Sequence, residues 1–284
     1  MATLSKTLLA PGFEATDPVG LIINGTNLND TLFGTAYTDE IHGRDGADVL
    51  FGYGGNDFLF GDAGNDTLIG GAGADALNGG AGFDTASYAS AATSVYVNLA
   101  TNTGVYGDAQ GDTFNSIEKI VGSSNDDWLV ANDTGVVFEG GAGHDYLLGG
   151  AGLDALNGGA GSDTLEGGRG FDVLTGGEGA DLFIFNRGDG PDVVMDFQQG
   201  VDKIALNGFT GFHGIGALGI DGELRTGTEL PTVIHNGPPR GDRDMVFYDT
   251  DDCALYQLSP YGDATLLATF ANGVQLQTSD FINV

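Results

Sequence analysis

Basic residues are scarce in this chain. Nine Lys and Arg stand against 40 Asp and Glu in 284 residues, for a net charge of −31. That excludes nucleic acid as a partner, because phosphates need Lys and Arg patches. It also means that something cationic is expected in the folded state, since unbalanced charge opposes compaction. Cysteine is nearly absent. The lone Cys253 excludes an intrachain disulfide framework and is expected as a small residue within a strand. No apolar run approaches the length that spans a bilayer. Residues 1–18 hold one lysine and a brief Leu8-Leu9-Ala10 run stopped by Pro11, so no signal peptide is expected at this end, and if the protein leaves the cell it is expected to use another route. Neither H-E-x-x-H nor G-x-S-x-G occurs. The four histidines, His42, His144, His213 and His235, are scattered, and solvated or packing roles are expected for them. About 24 residues precede the first repeat, too few for a catalytic domain, so the chain is expected not to be an enzyme. No segment shows a long helical period, which predicts an all-β protein.

What the chain has in excess is glycine, 51 residues, roughly two and a half times the usual share. The glycines are periodic. The run Gly140-Gly141-Ala142-Gly143-His144-Asp145-Tyr146-Leu147-Leu148 returns in frame from Gly149, Gly158, Gly167 and Gly176 with no residue inserted. The template is G-G-x-G-x-D-x-U-x, with U a large apolar residue, a known calcium-binding repeat pattern.

Residues 1–24 form an approach segment in which Leu21-Ile22-Ile23 is expected as a first strand or lid. A first array spans residues 25–87, with Asp30, Asp39, Asp48, Asp57, Asp66, Asp75 and Asp84 nine apart and Leu32, Ile41, Leu50, Leu59, Leu68, Leu77 and Ala86 at position eight. Its first two units lack glycine at position four, where Leu28 and Tyr37 stand, as terminal capping units do. Residues 88–121 interrupt the frame. Strands are expected at 95–99 and 116–121, with a loop at 101–112, as an enlarged coil inside one continuous stack. The second array spans 122–185 and supplies Asp127, Asp145, Asp154, Asp163, Asp172 and Asp181, with Val136 where one aspartate should be. The remainder, 186–284, is expected to be β-rich. Its strand candidates are 192–197, 203–206, 245–248, 254–258 and 265–270, with a loop at 208–241.

Glycine at positions one, two and four opens backbone angles closed to other residues, so a six-residue turn can aim carbonyl oxygens inward beside the aspartate of position six. Position eight then sits in a three-residue strand and points into the core. Two nonapeptides make one coil of 18 residues with a sheet on each side, a parallel β-roll, so turns on one edge stack at about 4.8 Å. Asp48, Asp66 and Asp84 share one edge, and Asp57 and Asp75 the other; Asp145, Asp163 and Asp181 share an edge, as do Asp154 and Asp172. Carboxylates so spaced repel unless a cation lies between them. Carbonyl and carboxylate oxygens suit Ca2+ over Mg2+, and the frame offers no thiolate or imidazole set for zinc or copper. The candidate metal ligands are Asp39, Asp48, Asp57, Asp66, Asp75, Asp84, Asp127, Asp145, Asp154, Asp163, Asp172 and Asp181, holding on the order of five to ten ions. The metal-free chain is expected to be expanded and to fold on binding calcium.

These residues resemble the RTX (repeats-in-toxin) proteins of Gram-negative bacteria, and the arrays are similar to the β-roll of that family. Residues 181–185, 196–204 and 279–284 resemble the region after the roll in serralysin-type proteases, where such a tail is part of an uncleaved type I secretion signal; here Asn283 interrupts the apolar ending. The resemblance implies a secreted, extracellular protein that passes unfolded through a type I secretion apparatus and folds in external calcium. Two alternatives stay open. One is a calcium-dependent polysaccharide-binding module, like those of alginate epimerases, with Tyr53, Tyr88 and Tyr96 on exposed strand faces. The other is a membrane-active protein.

Overall fold

The computed structural model describes residues 20–207 and, beyond them, 225–227, 245–249, 252–258, 264–274 and 276–282. The chain divides into two units, one of residues up to Asn132 with Val136–Tyr146, the other of Asp133–Gly135 with Leu147 onward. Both are all-β, with parallel strands wound as a β-roll.

In the first unit each coil of two nonapeptides contributes one strand to each of two sheets. One sheet runs Ile22–Asn24, Glu40–Asp45, Phe58–Ala63, Ala76–Ala81, Thr113–Asn115. Facing it, Thr31–Phe33, Val49–Gly54, Thr67–Ala72, Thr85–Ser87, Lys119–Val121 and Val137–Ala142 follow in order. Neighbours are parallel and one coil apart, as in Glu40↔Phe58 and Val49↔Thr67. The register is fixed because a slip of one residue would turn every core side chain outward. Position eight supplies that core: Ile41, Leu50, Leu59 and Leu68 are fully buried and Leu77 nearly so. Each such side chain contributes roughly 1.5–3 kcal/mol by leaving water. The layer between the sheets is thus one large side chain deep per strand.

The strands differ from the three residues expected. Several run for six, through the first half of the turn, as in Val49–Gly54 and Thr67–Ala72. The ladder continues there because the position-two residue takes positive φ and still pairs with its counterpart one coil on, Tyr53 with Gly71 and Arg44 with Asp62.

The interruption is more ordered than a loop. The stretch expected as loop carries a strand, Thr103–Val105, antiparallel to Tyr96–Asn98, and a 3-10 turn at Gly107–Ala109. Thr113–Asn115 then pairs with Ala76–Ala81 and ends that sheet, while Lys119–Val121 pairs with both Thr85–Ser87 and Val137–Ala142 and carries the other sheet through. Tyr88, offered above as an exposed sugar contact, is buried here and donates its phenol to Asp112.

The second unit keeps the one-coil offset between Ala155–Ala160 and Val173–Glu178 and between Thr164–Glu166 and Leu182–Asn186. The nonapeptide pattern stops at 185, but the sheets do not. Asp192–Val194 pairs in parallel with Val173–Glu178, and Lys203–Asn207 with Leu182–Asn186. Ala264–Phe270 and Phe281–Ile282 extend the two sheets further, the first leading into an antiparallel meander with Ala254–Leu258 and Met245–Asp249. Phe183, Phe197 and Phe270 pack in a row at 5.9 and 5.5 Å between ring centroids. Of the loop expected at 208–241, Arg225–Gly227 is a strand and the rest lies outside the described residues, as do residues 1–19 and 283–284. Cys253 occupies a turn at φ 50°, not a strand. Among the described residues no helix is long and apolar enough to cross a membrane.

Candidate metal centres on the aspartate ladders

All the position-six aspartates except Asp30 are buried. Each bonds to the next by a backbone amide that donates to the carboxylate one coil further on. The amides of Asp30, Asp48 and Asp66 donate to Oδ1 of Asp48, Asp66 and Asp84 at 2.7, 2.8 and 2.8 Å. On the other edge, the amides of Asp39 and Asp57 donate to Oδ1 of Asp57 and Asp75, both at 2.8 Å. A shorter ladder joins Asp127 to Asp145 at 2.7 Å. In the second unit Asp154 is joined to Asp172 and Asp163 to Asp181, each at 2.9 Å. The expected edge partners thus meet within each unit, through one oxygen of each carboxylate.

The other oxygen is free to take a metal. Oδ2 of Asp48, Asp57, Asp66, Asp75, Asp84 and Asp181 is buried and makes no hydrogen bond. A buried acceptor left so costs free energy comparable to a lost hydrogen bond, more when charged. A second oxygen shares its volume: a Cβ placed on Gly61 would meet both Asp66 Oδ2 and the Gly79 carbonyl, and one on Gly52 both Asp57 Oδ2 and the Gly70 carbonyl. Position one is therefore glycine for space, not for backbone angle, since Gly43, Gly52 and Gly61 do not have positive φ. Among the described residues no three His, Cys, Asp or Glu side chains converge. The donors at each centre are one carboxylate and main-chain carbonyls, an all-oxygen set that fits a hard, flexibly coordinated cation such as calcium.

Burial shifts these carboxyls. Asp57 is raised to about 7, and Asp66, Asp75 and Asp181 to about 6, by desolvation, against the lowering effect of the amide each accepts and with further raising by neighbouring aspartates. Asp172 and Asp192, side by side in the second unit, are both raised, first by burial; the charges of Asp154 and Asp189 raise Asp172 further while its hydrogen bond with Asp192 lowers it, and the charge of Asp172 raises Asp192. Cations at these positions would favour the charged forms.

Three expected ligands differ. Oδ2 of Asp39 accepts the Thr35 amide at 2.5 Å, that of Asp127 the Ser123 amide at 2.5 Å, and that of Asp154 the Gly150 amide at 2.8 Å.

The ladders also include residues outside the nonapeptide frame. Asp75 donates to Asp112 and Asp84 to Glu118, 37 and 34 residues on; Asp172 donates to Asp192 and Asp181 to Asp202, 20 and 21 residues on. Sequence reasoning passed over them because it followed glycine at fixed spacing. The signal they keep is the second half of the repeat, an acidic residue two before a core residue: Asp112 and Phe114, Glu118 and Ile120, Asp192 and Val194, Asp202 and Ile204. That half sets the strand and its ladder bond; the glycine-rich half sets only the turn.

His42 stacks flat on Phe60 at 4.7 Å and contacts the carboxylates of Glu40 and Asp62, a packing role on the sheet's outer face.

The RTX calcium-binding nonapeptide repeat matches this chain in four copies, over residues 24–59, 51–86, 121–156 and 157–190. No curated protein sequence matches it. Among solved structures the chain is similar to the extracellular lipase LipA from Serratia marcescens, at 19% identity and a TM-score of 0.22, over 94% of this chain and 40% of that one. This chain thus spans well under half of the lipase's length. The copies of the repeat coincide with the turns that carry the buried aspartates, so the chain carries RTX calcium-binding nonapeptide repeats over residues 24–86 and 121–190.

Proposed function

We propose that this is a secreted calcium-binding protein whose β-roll forms when calcium enters the aspartate ladders, after passage unfolded through a type I secretion apparatus. The observation that carries the reading is the set of buried, unbonded Oδ2 atoms at Asp48, Asp57, Asp66, Asp75, Asp84 and Asp181. A core one side chain deep and a net charge of −31 leave the metal-free roll short of stabilising energy. Calcium supplies what is missing, so that binding free energy becomes folding free energy. In low cytosolic calcium the chain stays extended and able to thread a channel; outside, it folds. The role is one of binding and folding, not catalysis. Calcium titration followed by far-UV circular dichroism and calorimetry tests this. Folding with uptake of several ions is expected. An identical spectrum in EDTA and in millimolar calcium sinks it.

A second reading has one observation in its favour. Tyr96, Trp128 and Tyr146 form an edge-to-face row, 5.4 Å between successive centroids, with Trp128 half exposed. Exposed aromatic rows suit sugar rings, so the folded roll would bind an extracellular polysaccharide. Calcium-dependent retardation in an alginate gel, lost on Trp128→Ala, is the test.

A further inference from the structure

The turns of the first unit come in two forms, told apart by the residues at positions two and four. Glycine there does not alone give the open form, since in the second unit Gly150 and Gly152 lack positive φ and the Gly150 amide closes on Oδ2 of Asp154. In the turns closing at Asp48, Asp57, Asp66, Asp75 and Asp84, position two has positive φ: Arg44, Tyr53, Asp62, Gly71 and Gly80. So has position four: Gly46, Gly55, Gly64, Gly73 and Gly82. In each of these turns Oδ2 has no hydrogen bond. In the turns closing at Asp30, Asp39 and Asp127, position two is Thr26, Thr35 or Ser123, position four is Leu28, Tyr37 or Asn125, and none has positive φ.

In that second form the turn fills its own centre. The position-two amide turns inward and donates to Oδ2, at 2.5 Å in all three turns. The hydroxyl of the same residue donates to the carboxylate as well, from Thr26 at 2.8 Å, Thr35 at 3.0 Å and Ser123 at 2.9 Å. That hydroxyl also accepts the position-four amide, from Leu28, Tyr37 and Asn125 at 3.3, 3.1 and 3.0 Å. The amide thus occupies the Oδ2 that the other form leaves bare, and the hydroxyl adds a second donor, to Oδ2 of Asp30 and Asp39 and to Oδ1 of Asp127, so the carboxylate is satisfied by the protein itself. An inward N–H repels a cation, and the peptide that carries it cannot turn a carbonyl to the same point.

Resting on the calcium reading above, we propose that the turns at Asp39 and Asp127 are metal-free turns, in which a Thr or Ser hydroxyl and its own amide stand in the cation's place. Calcium is confined to turns with left-handed residues at positions two and four. Metal-free turns sit at the first coils and directly after the interruption, where a regular turn stands one coil on but none stands one coil before. The interruption repeats the device by other means, with the Tyr88 phenol donating to Oδ2 of Asp112 at 2.7 Å.

Restoring the regular glycines removes the hydroxyl and lets positions two and four take the left-handed angles of the open turns. The experiment counts bound calcium by native mass spectrometry in the full chain, in Thr35→Gly with Tyr37→Gly, and in Ser123→Gly with Asn125→Gly. Each double variant is expected to hold one ion more than the parent, and Thr35→Ser, which keeps the hydroxyl, the parental number. Equal or lower counts in folded double variants overturn the inference and leave calcium binding intact. Calcium-free parent and variants overturn both. A crystal structure of the calcium-loaded parent decides the matter should a double variant not fold: an ion against Oδ2 of Asp39 or Asp127 overturns the proposal, and ions against Asp57 and Asp66 but not these two support it.

Discussion

The backbone amide of Asp57 donates to Oδ1 of Asp75 at 2.8 Å, eighteen residues along the chain and one coil along the roll. The same carboxylate presents a bare Oδ2 beside Gly70 of its own turn. One side chain therefore does two things, holding the stack by one oxygen and offering the other to a cation. The two can be separated by mutation. Asp75→Asn keeps an acceptor for the Asp57 amide and removes the charge, so one calcium should be lost with the ladder intact. Asp75→Ala removes both and strands a buried amide, at a further cost of about 1–3 kcal/mol. Denaturant unfolding in saturating calcium should rank the parent above Asn, and Asn above Ala.

Protons and calcium compete for the ladder. Asp57 is raised to about 7 and Asp66, Asp75 and Asp181 to about 6, chiefly by burial. A carboxyl raised in the folded state binds protons that the unfolded chain has released, so metal-free stability grows as pH falls from about 7 towards about 4 and is lost as pH rises through the folded values. In a roll already folded, calcium must displace those protons, so its affinity for that state should drop as pH falls from about 7.5 to about 5.5. Calorimetry in two buffers of different ionisation enthalpy measures the protons released. No release at about pH 6 is expected where calcium folds an extended chain, whose carboxyls are already ionised, and release there would show a roll folded before calcium enters.

Close stacking makes position four sensitive in the regular turns. Gly73 has φ +150°, and a Cβ there would overlap the carbonyl oxygen of Gly55 in the preceding coil. Gly73→Ala should destabilise the calcium-loaded protein by more than about 1 kcal/mol, and raise the calcium concentration at the folding midpoint. Gly188, with φ +94° but nothing within 4 Å, provides a control that carries the angle cost without the overlap.

The Tyr88 phenol is the donor that keeps Asp112 satisfied inside the interruption. Tyr88→Phe preserves the ring's packing against Phe114 and removes only the hydroxyl. A loss of about 1–3 kcal/mol in thermal unfolding is expected from the stranded acceptor, with a further rise in the Asp112 pKa, since the phenol is one of the groups that lowers it. Carboxyl NMR titration of Asp112 would show the rise.

The sequence by itself determined the coil. A period of nine with an apolar residue at position eight and an aspartate at position six admits one winding, because only an eighteen-residue turn stacks Leu50 on Leu68, sets Leu59 in the facing sheet and brings Asp48 to Asp66. Periodicity is local and repeated, so it survives as text. Tertiary structure decided everything that depends on which oxygen faces which amide. Asp39 and Asp57 read alike as letters, yet one carboxylate is closed by Thr35 and the other is bare, because a peptide rotation at position two is fixed by its neighbours in space. Asp112, Asp192 and Asp202 join the ladders at irregular spacings because a strand can enter a sheet after a loop of any length, provided its core residue and its acceptor land in register. Spacing along the chain carries no record of that; only the hydrogen bond does.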